Sequence, residues 1–160
     1  MRLAFVFVFI ASILPCPSVA GAADEVIHAQ VVQIPDGDSL TIVIDGKMVR
    51  ARLAEIDAPE GQQPYSDQSR QSLFDMCFWL EAELTPVAKD EYGRMVVRVK
   101  CNGIDVISEQ VKRGLAWVYD DTKDAALQEL QVKARAAGRG LWGVQSPLSP
   151  VPPWEWNDFF

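Results

Sequence analysis

From Val26 onwards, apolar and polar positions change period several times, and each change predicts an element. Val26 to Ile34 is rich in β-branched residues and predicts a first strand. After Asp36-Gly37-Asp38, Leu40, Ile42 and Ile44 alternate with Thr41 and Val43 in a second strand. Asp45-Gly46 is a two-residue hairpin signal, because both central positions of a type I′ turn need positive φ. A third strand, Met48 to Ile56, follows, with Arg52 and Leu53 on opposite faces. The pattern breaks at Ala58-Pro59-Glu60-Gly61. From Ser66 to Leu80 the spacing turns helical, with Leu73, Met76, Cys77 and Leu80 on one face. Two more strands are predicted at Ala82 to Ala88 and Arg94 to Cys101, separated by Lys89-Asp90-Glu91-Tyr92-Gly93. Ile107, Val111 and Leu115 indicate a short helix ending near Gly114. Leu127, Leu130, Ala134 and Ala137 indicate another, opened by Asp124 and stopped by Gly138 and Gly140. From Ser146 the chain carries Pro147, Pro150, Pro152 and Pro153, then Trp154 and Trp156, so this tail is expected to be extended and free of helix.

Five short strands with a helix after the third predict an α+β, mainly β fold: a closed five-stranded barrel with about three helices. That is the plan of the oligonucleotide/oligosaccharide-binding barrel, the OB-fold. It occupies residues 24–145, with 146–160 as a Pro/Trp-rich tail, and there are no internal repeats.

Residues 1–23 have a different logic. Arg2 precedes a twelve-residue apolar run, Leu3 to Leu14, too short for the roughly 20 residues that span a bilayer. Pro15, Pro17 and small residues then offer cleavage sites at Ser18-Val19-Ala20 or Gly21-Ala22-Ala23. The segment reads as a signal peptide, so the mature chain is expected in a periplasm or outside the cell, with no stable membrane association. A lipid anchor on Cys16 and a buried first helix are the alternatives. Cleavage leaves Cys77 and Cys101, an even pair that suggests one disulfide in an exported chain; two separate buried thiols are the alternative.

The 160 residues are 49% apolar and 23% charged, as expected of a packed domain rather than a disordered chain. Fifteen basic residues face 22 acidic ones, for a net charge of −7, so the surface as a whole does not attract polyanions. With His28 the only histidine, a Ser-His-Asp triad lacks support and a two-histidine metal motif is impossible. Catalysis must rest on carboxylates, arginines, tyrosines or a metal held by oxygen. Such residues collect where strands end. Asp38, Asp57 and Glu60 are oxygen donors of the kind a hard cation takes. Arg52 and Arg94 are planar donors suited to phosphate oxygens. A cation and two arginines around a phosphodiester would stabilise the transition-state charge, with a remaining carboxylate to orient or deprotonate water. Each motif by itself has a plainer reading, as a turn, a strand end or a surface ion pair.

Their joint order carries more. Asp36-Gly37-Asp38-Ser39, Arg52-Leu53 with Ile56-Asp57-Ala58-Pro59-Glu60, Tyr92-Gly93-Arg94 and Gly114-Leu115-Ala116 together resemble the staphylococcal-nuclease-like (thermonuclease) family. The resemblance covers nearly all of Val26 to Val144, and Gly140-Leu141-Trp142 fits it too. It implies the same five-stranded barrel and calcium-dependent hydrolysis of DNA and RNA phosphodiesters, on single-stranded or flexible substrates. It further implies Ca2+ on Asp38, Asp57 and the Ala58 carbonyl, with Asp36 in support. Glu60 would be the general base or water-positioning group, Arg52 and Arg94 would bind the scissile phosphate, and Tyr92 and Tyr119 would line the nucleotide pocket. Glu91 departs from the family, standing where a lysine assists phosphate binding. The stretch between Glu60 and Tyr92 is also shorter.

A non-catalytic OB-fold binding module is the second reading, supported by the acidic balance and Glu91. A structural protein that uses the Pro/Trp tail is the third. Nothing in the sequence demands more than a monomer.

Overall fold

Strand β1, Ile27–Gln33, pairs antiparallel with β2, Ser39–Ile44, and on its other edge with β5, Glu81–Lys89. These come from a computed structural model that describes residues 25–143 and 150–156. The expected leader, Cys16 included, lies outside the described residues, as does most of the linker into the tail. Strand β3, Lys47–Leu53, continues the order beyond β2, and β6, Met95–Cys101, continues it beyond β5. A parallel pairing of β3 with β6, with Arg52 opposite Val96, closes the five strands into a barrel. Closure removes the free edges that an open sheet would present. The Asp45-Gly46 hairpin forms as expected, with φ of 50° and 73°.

Two short pairs decorate the barrel. Strand β4, Ile56–Asp57, pairs with β8, Trp117–Val118, and β7, Ile104–Asp105, pairs antiparallel with the end of β6. The long helices are α1, Ser66–Cys77, α2, Val106–Lys112, and α3, Ala125–Ala136. Asp105 caps α2 by accepting the Ser108 N–H at 2.8 Å, and Asp124 caps α3 through the Ala126 and Leu127 N–H groups. Among the described residues no helix is long and apolar enough to cross a membrane.

The core is what the alternation predicts. Val31, Leu40, Ile42, Leu53, Leu84, Val97 and Val99 point into the barrel, while Leu73 of α1 and Ile107 and Val111 of α2 seal it. Each such side chain contributes on the order of 1.5–3 kcal/mol by leaving water. Cys77 at the end of α1 and Cys101 at the end of β6 are joined in a disulfide, with Cα atoms 5.4 Å apart.

Three expectations are corrected. The third strand does not run to Ile56: it stops at Leu53, because Glu55 takes a left-handed φ of 63° and the Ala54 N–H is drawn to the Val97 carbonyl. Helix α1 ends at Cys77 rather than Leu80, since Trp79 and Leu80 exchange backbone hydrogen bonds with Val31 of β1. The tail is not helix-free. Pro153–Trp156 forms one helical turn, α4, with the Glu155 and Trp156 N–H groups bonded to the Pro152 carbonyl. Proline is harmless at the first helical position, where its missing N–H has no intrahelical partner.

Candidate active site

The Asp36-Gly37-Asp38 turn sits between β1 and β2 and is clamped from outside the barrel. A Cβ on Gly37 would fall 1.9 Å from Ser69 Oγ and 2.8 Å from Ala58 Cβ, so only glycine lets α1 approach this closely. Gln110 of α2, fully buried, donates from Nε2 to the Gly37 carbonyl at 2.7 Å and to the Ser69 carbonyl at 3.1 Å. Asp36 accepts the Asp38 N–H at 3.0 Å, an Asx turn that fixes the loop. Asp38 is thereby buried, 1% exposed, and both of its oxygens accept hydrogen bonds. Oδ1 accepts from Arg52 Nη1 and Ser39 Oγ, each at 3.2 Å, and Oδ2 accepts the Ala58 N–H at 2.8 Å.

Arg52, one residue before the end of β3, is the hub. Its Nη1 meets Asp38, and its Nη2 donates to Asp57 of β4 and, at 3.0 Å, to the Tyr119 hydroxyl. The β4–β8 pairing, with Asp57 opposite Trp117, is what brings Tyr119 to this point. Burial works against the charge on Arg52, but Asp38 and Asp57 outweigh it and hold the guanidinium protonated. One guanidinium serves two buried acids. Asp38 is therefore pushed well above the usual carboxylate range by burial, with repulsion from Asp36 and Asp57 adding to it and Arg52 opposing. Burial raises Asp57 as well.

Glu60 lies at the rim. Burial, then repulsion from Asp57, raises its carboxyl above the ordinary value. Its N–H is held at 2.7 Å by Gln63 Oε1. Arg94 enters from the β5–β6 loop, where Asp90 accepts its Nε at 2.5 Å and its backbone N–H at 2.8 Å. The Arg94 guanidinium also lies 5.4 Å from the centre of the exposed Tyr92 ring. Arg52, Asp57, Glu60, Tyr92, Arg94 and Tyr119 all line one open cleft of about 510 Å³, together with Glu91 and, from the tail, Pro153 and Trp154. Asp38 is bonded to Arg52 but does not line this cleft, and Asp36 lines a smaller pocket that Arg94 shares.

Among the described residues no three Asp, Glu, His or Cys side chains form a ready-made metal cage. The donors offered are the carboxylates of Asp38 and Asp57 and the backbone of Ala58. All are oxygen, on acids that burial raises above the usual carboxylate range, and that chemistry fits a hard cation sharing its shell with water or substrate.

Sequence reasoning missed four contributors. Asp90 had a signal, since an aspartate two residues ahead of Tyr92 in a turn segment is an Asx-turn pattern. Gln110 and Trp154 had none, because their partners lie far along the chain, and Gln63 had none for its bond to Val151, although its other partner, Glu60, is three residues away.

A closed five-stranded barrel with carboxylates and arginines around one cleft defines an OB-fold hydrolase candidate. Comparison with known proteins agrees. The sequence model of the staphylococcal nuclease homologue family matches residues 50–144. The chain is 39% identical over 133 residues to an uncharacterized endonuclease of Escherichia coli O157:H7, covering 82% of this chain and 85% of that one. It is 37% identical over 123 residues to an uncharacterized endonuclease of Haemophilus influenzae, covering 76% and 69%. It is 33% identical over 144 residues to a micrococcal nuclease of Shigella flexneri, covering 81% and 80%. The chain belongs to the staphylococcal nuclease homologue family, a family of nucleases, enzymes that hydrolyse phosphodiester bonds.

Proposed function

We propose that the mature chain is an exported, calcium-dependent nuclease that hydrolyses phosphodiester bonds of single-stranded or flexible DNA or RNA. The observation that carries this reading is the gathering of Arg52, Asp57, Glu60 and Arg94 on one cleft, with Asp38 bonded to Arg52. Ca2+ would be held by Asp38, Asp57 and the Ala58 carbonyl, with Asp36 supporting the turn, and would supply neutralising charge beside the scissile phosphate. Arg52 and Arg94 donate to the phosphate oxygens, and their fixed positive charge favours the more highly charged transition state. Glu60 orients the attacking water and accepts its proton, a task suited to a carboxyl with a raised pKa. Tyr92 and Tyr119 flank the nucleotide. Asp90 grips Arg94 at Nε, and the terminal guanidinium nitrogens are the donors directed to phosphate. Export follows from the leader-like residues 1–23, and a monomer suffices because every named group comes from one chain.

The test is cleavage of heat-denatured DNA by the purified mature chain, with calcium or with a calcium chelator, and with Glu60→Gln alongside. Cleavage that needs calcium and is lost in the variant supports the reading. A folded, disulfide-intact sample that does not cleave would leave a binding module in its place.

A further inference from the structure

The nuclease reading leaves one part of the cleft without a task. Trp154 comes from the tail, beyond the residues that the family match covers, yet its side chain lines the same cavity as Arg52 and Glu60. Its placement is built in. Gln63 joins two segments through one amide, accepting the Glu60 N–H at 2.7 Å and donating to the Val151 carbonyl at 3.2 Å. Pro153 is buried, and α4 starts on the Pro152 carbonyl, which fixes the backbone that carries Trp154. The indole packs against the Tyr119 ring with centroids 5.4 Å apart and planes 33° apart, and it remains 37% exposed. Tyr119 in turn accepts a hydrogen bond from Arg52. A large, partly open aromatic surface thus stands one residue away from a guanidinium suited to phosphate, in a cavity within the range of about 300–1,000 Å³ that accommodates small ligands.

We propose that Trp154 is a substrate-specificity residue, whose indole stacks on a nucleobase adjoining the phosphate held at Arg52. An acidic chain has little nonspecific attraction for the backbone, and stacking gives sequence-tolerant affinity that does not depend on charge. Stacking also requires an unstacked base, so the tail selects single strands over duplex. This proposal rests on the nuclease reading for the position of the phosphate.

The experiment uses oligonucleotides with one cleavable linkage, whose flanking nucleosides carry thymine or are abasic. Wild-type enzyme is expected to prefer the thymine substrate by about tenfold in kcat/KM, mostly through KM. Trp154→Ala should lower that ratio several-fold, to what Tyr92 and Tyr119 still supply, while Trp154→Phe keeps most of it. A ratio unchanged in Trp154→Ala overturns the proposal. So does an equal fall on both substrates, which would mark a purely structural tail, or a gain in activity, which would mark an obstruction. If wild-type enzyme cleaves neither strand, the nuclease reading fails first, and fluorescence anisotropy with the same labelled strands decides the stacking contact. Weaker binding of the thymine strand alone in Trp154→Ala then supports it, and equal binding by the two proteins, or none by either, overturns it.

Discussion

Gln110 Nε2 donates to the carbonyl of Gly37 at 2.7 Å, linking the middle of α2 to the turn that presents Asp38. Replacing Gln110 by Leu keeps the volume and leaves the Gly37 carbonyl without this donor, at a cost of about 1–3 kcal/mol. A lower thermal midpoint together with a reduced kcat is expected, because the turn that carries Asp38 loses its clamp. Unfolding curves and initial rates on denatured DNA check both.

Arg52 is the only basic group bonded to the buried Asp38–Asp57 pair among the described residues. Arg52→Gln leaves two buried acids facing one another and is expected to destabilise the fold by about 3–5 kcal/mol. Adding Asp57→Asn should recover part of that loss, since the repulsion then disappears. A double-mutant cycle measured by urea unfolding reads the coupling, and strict additivity would show that the pair is not electrostatically linked.

Asp90 holds the Arg94 loop. Burial pushes its carboxyl up, but the Arg94 side-chain and backbone hydrogen bonds outweigh that and keep its pKa below the ordinary 3.8. A depressed folded value means the stabilisation is present above the ordinary aspartate value and is lost as pH falls through the lowered one. In an NMR titration the Arg94 backbone amide should therefore shift with a midpoint below that of a free aspartate. Asp90→Asn should abolish that shift.

Salt dependence reports how many phosphates the cleft neutralises. With Arg52 and Arg94 as its arginines and Glu91 beside them, single-strand affinity should fall with a log–log slope near −1.4, about −0.7 for each of two contacts. Glu91→Lys should tighten binding and steepen the slope by about 0.7. Anisotropy titrations from low to moderate salt measure both, and a steep wild-type slope would contradict the two-contact count.

The Cys77–Cys101 disulfide closes a sequence separation of 24 residues and ties α1 to β6. Its loss in a Cys77→Ala, Cys101→Ala double variant should lower stability by about 3 kcal/mol. Both cysteines belong to the core but neither lines the cleft, so the folded variant should keep its nuclease rate. Urea unfolding and a cleavage assay separate the two effects.

Local chemistry decided much of this protein before any tertiary contact formed. Alternation of apolar residues fixes the five barrel strands, Asp45-Gly46 sets a hairpin, and Asp124 caps α3, because each depends only on neighbours in the chain. Side-chain alternation likewise separates Arg52 from Leu53, sending one to the cleft and the other to the core. Motif order was enough to point to Asp38, Arg52, Asp57, Glu60 and Arg94 as one group. Other features belong to the fold alone. The third strand and α1 stop early because Glu55 and Trp79 take left-handed backbone where neighbouring strands claim their hydrogen bonds. The bridging of Asp38 and Asp57 by Arg52, the clamp of Gln110 on Gly37 and the seat of Trp154 beside Tyr119 all join residues distant in sequence. Such contacts leave no periodic trace, since their partners are chosen by barrel closure and helix packing rather than by the chain on either side.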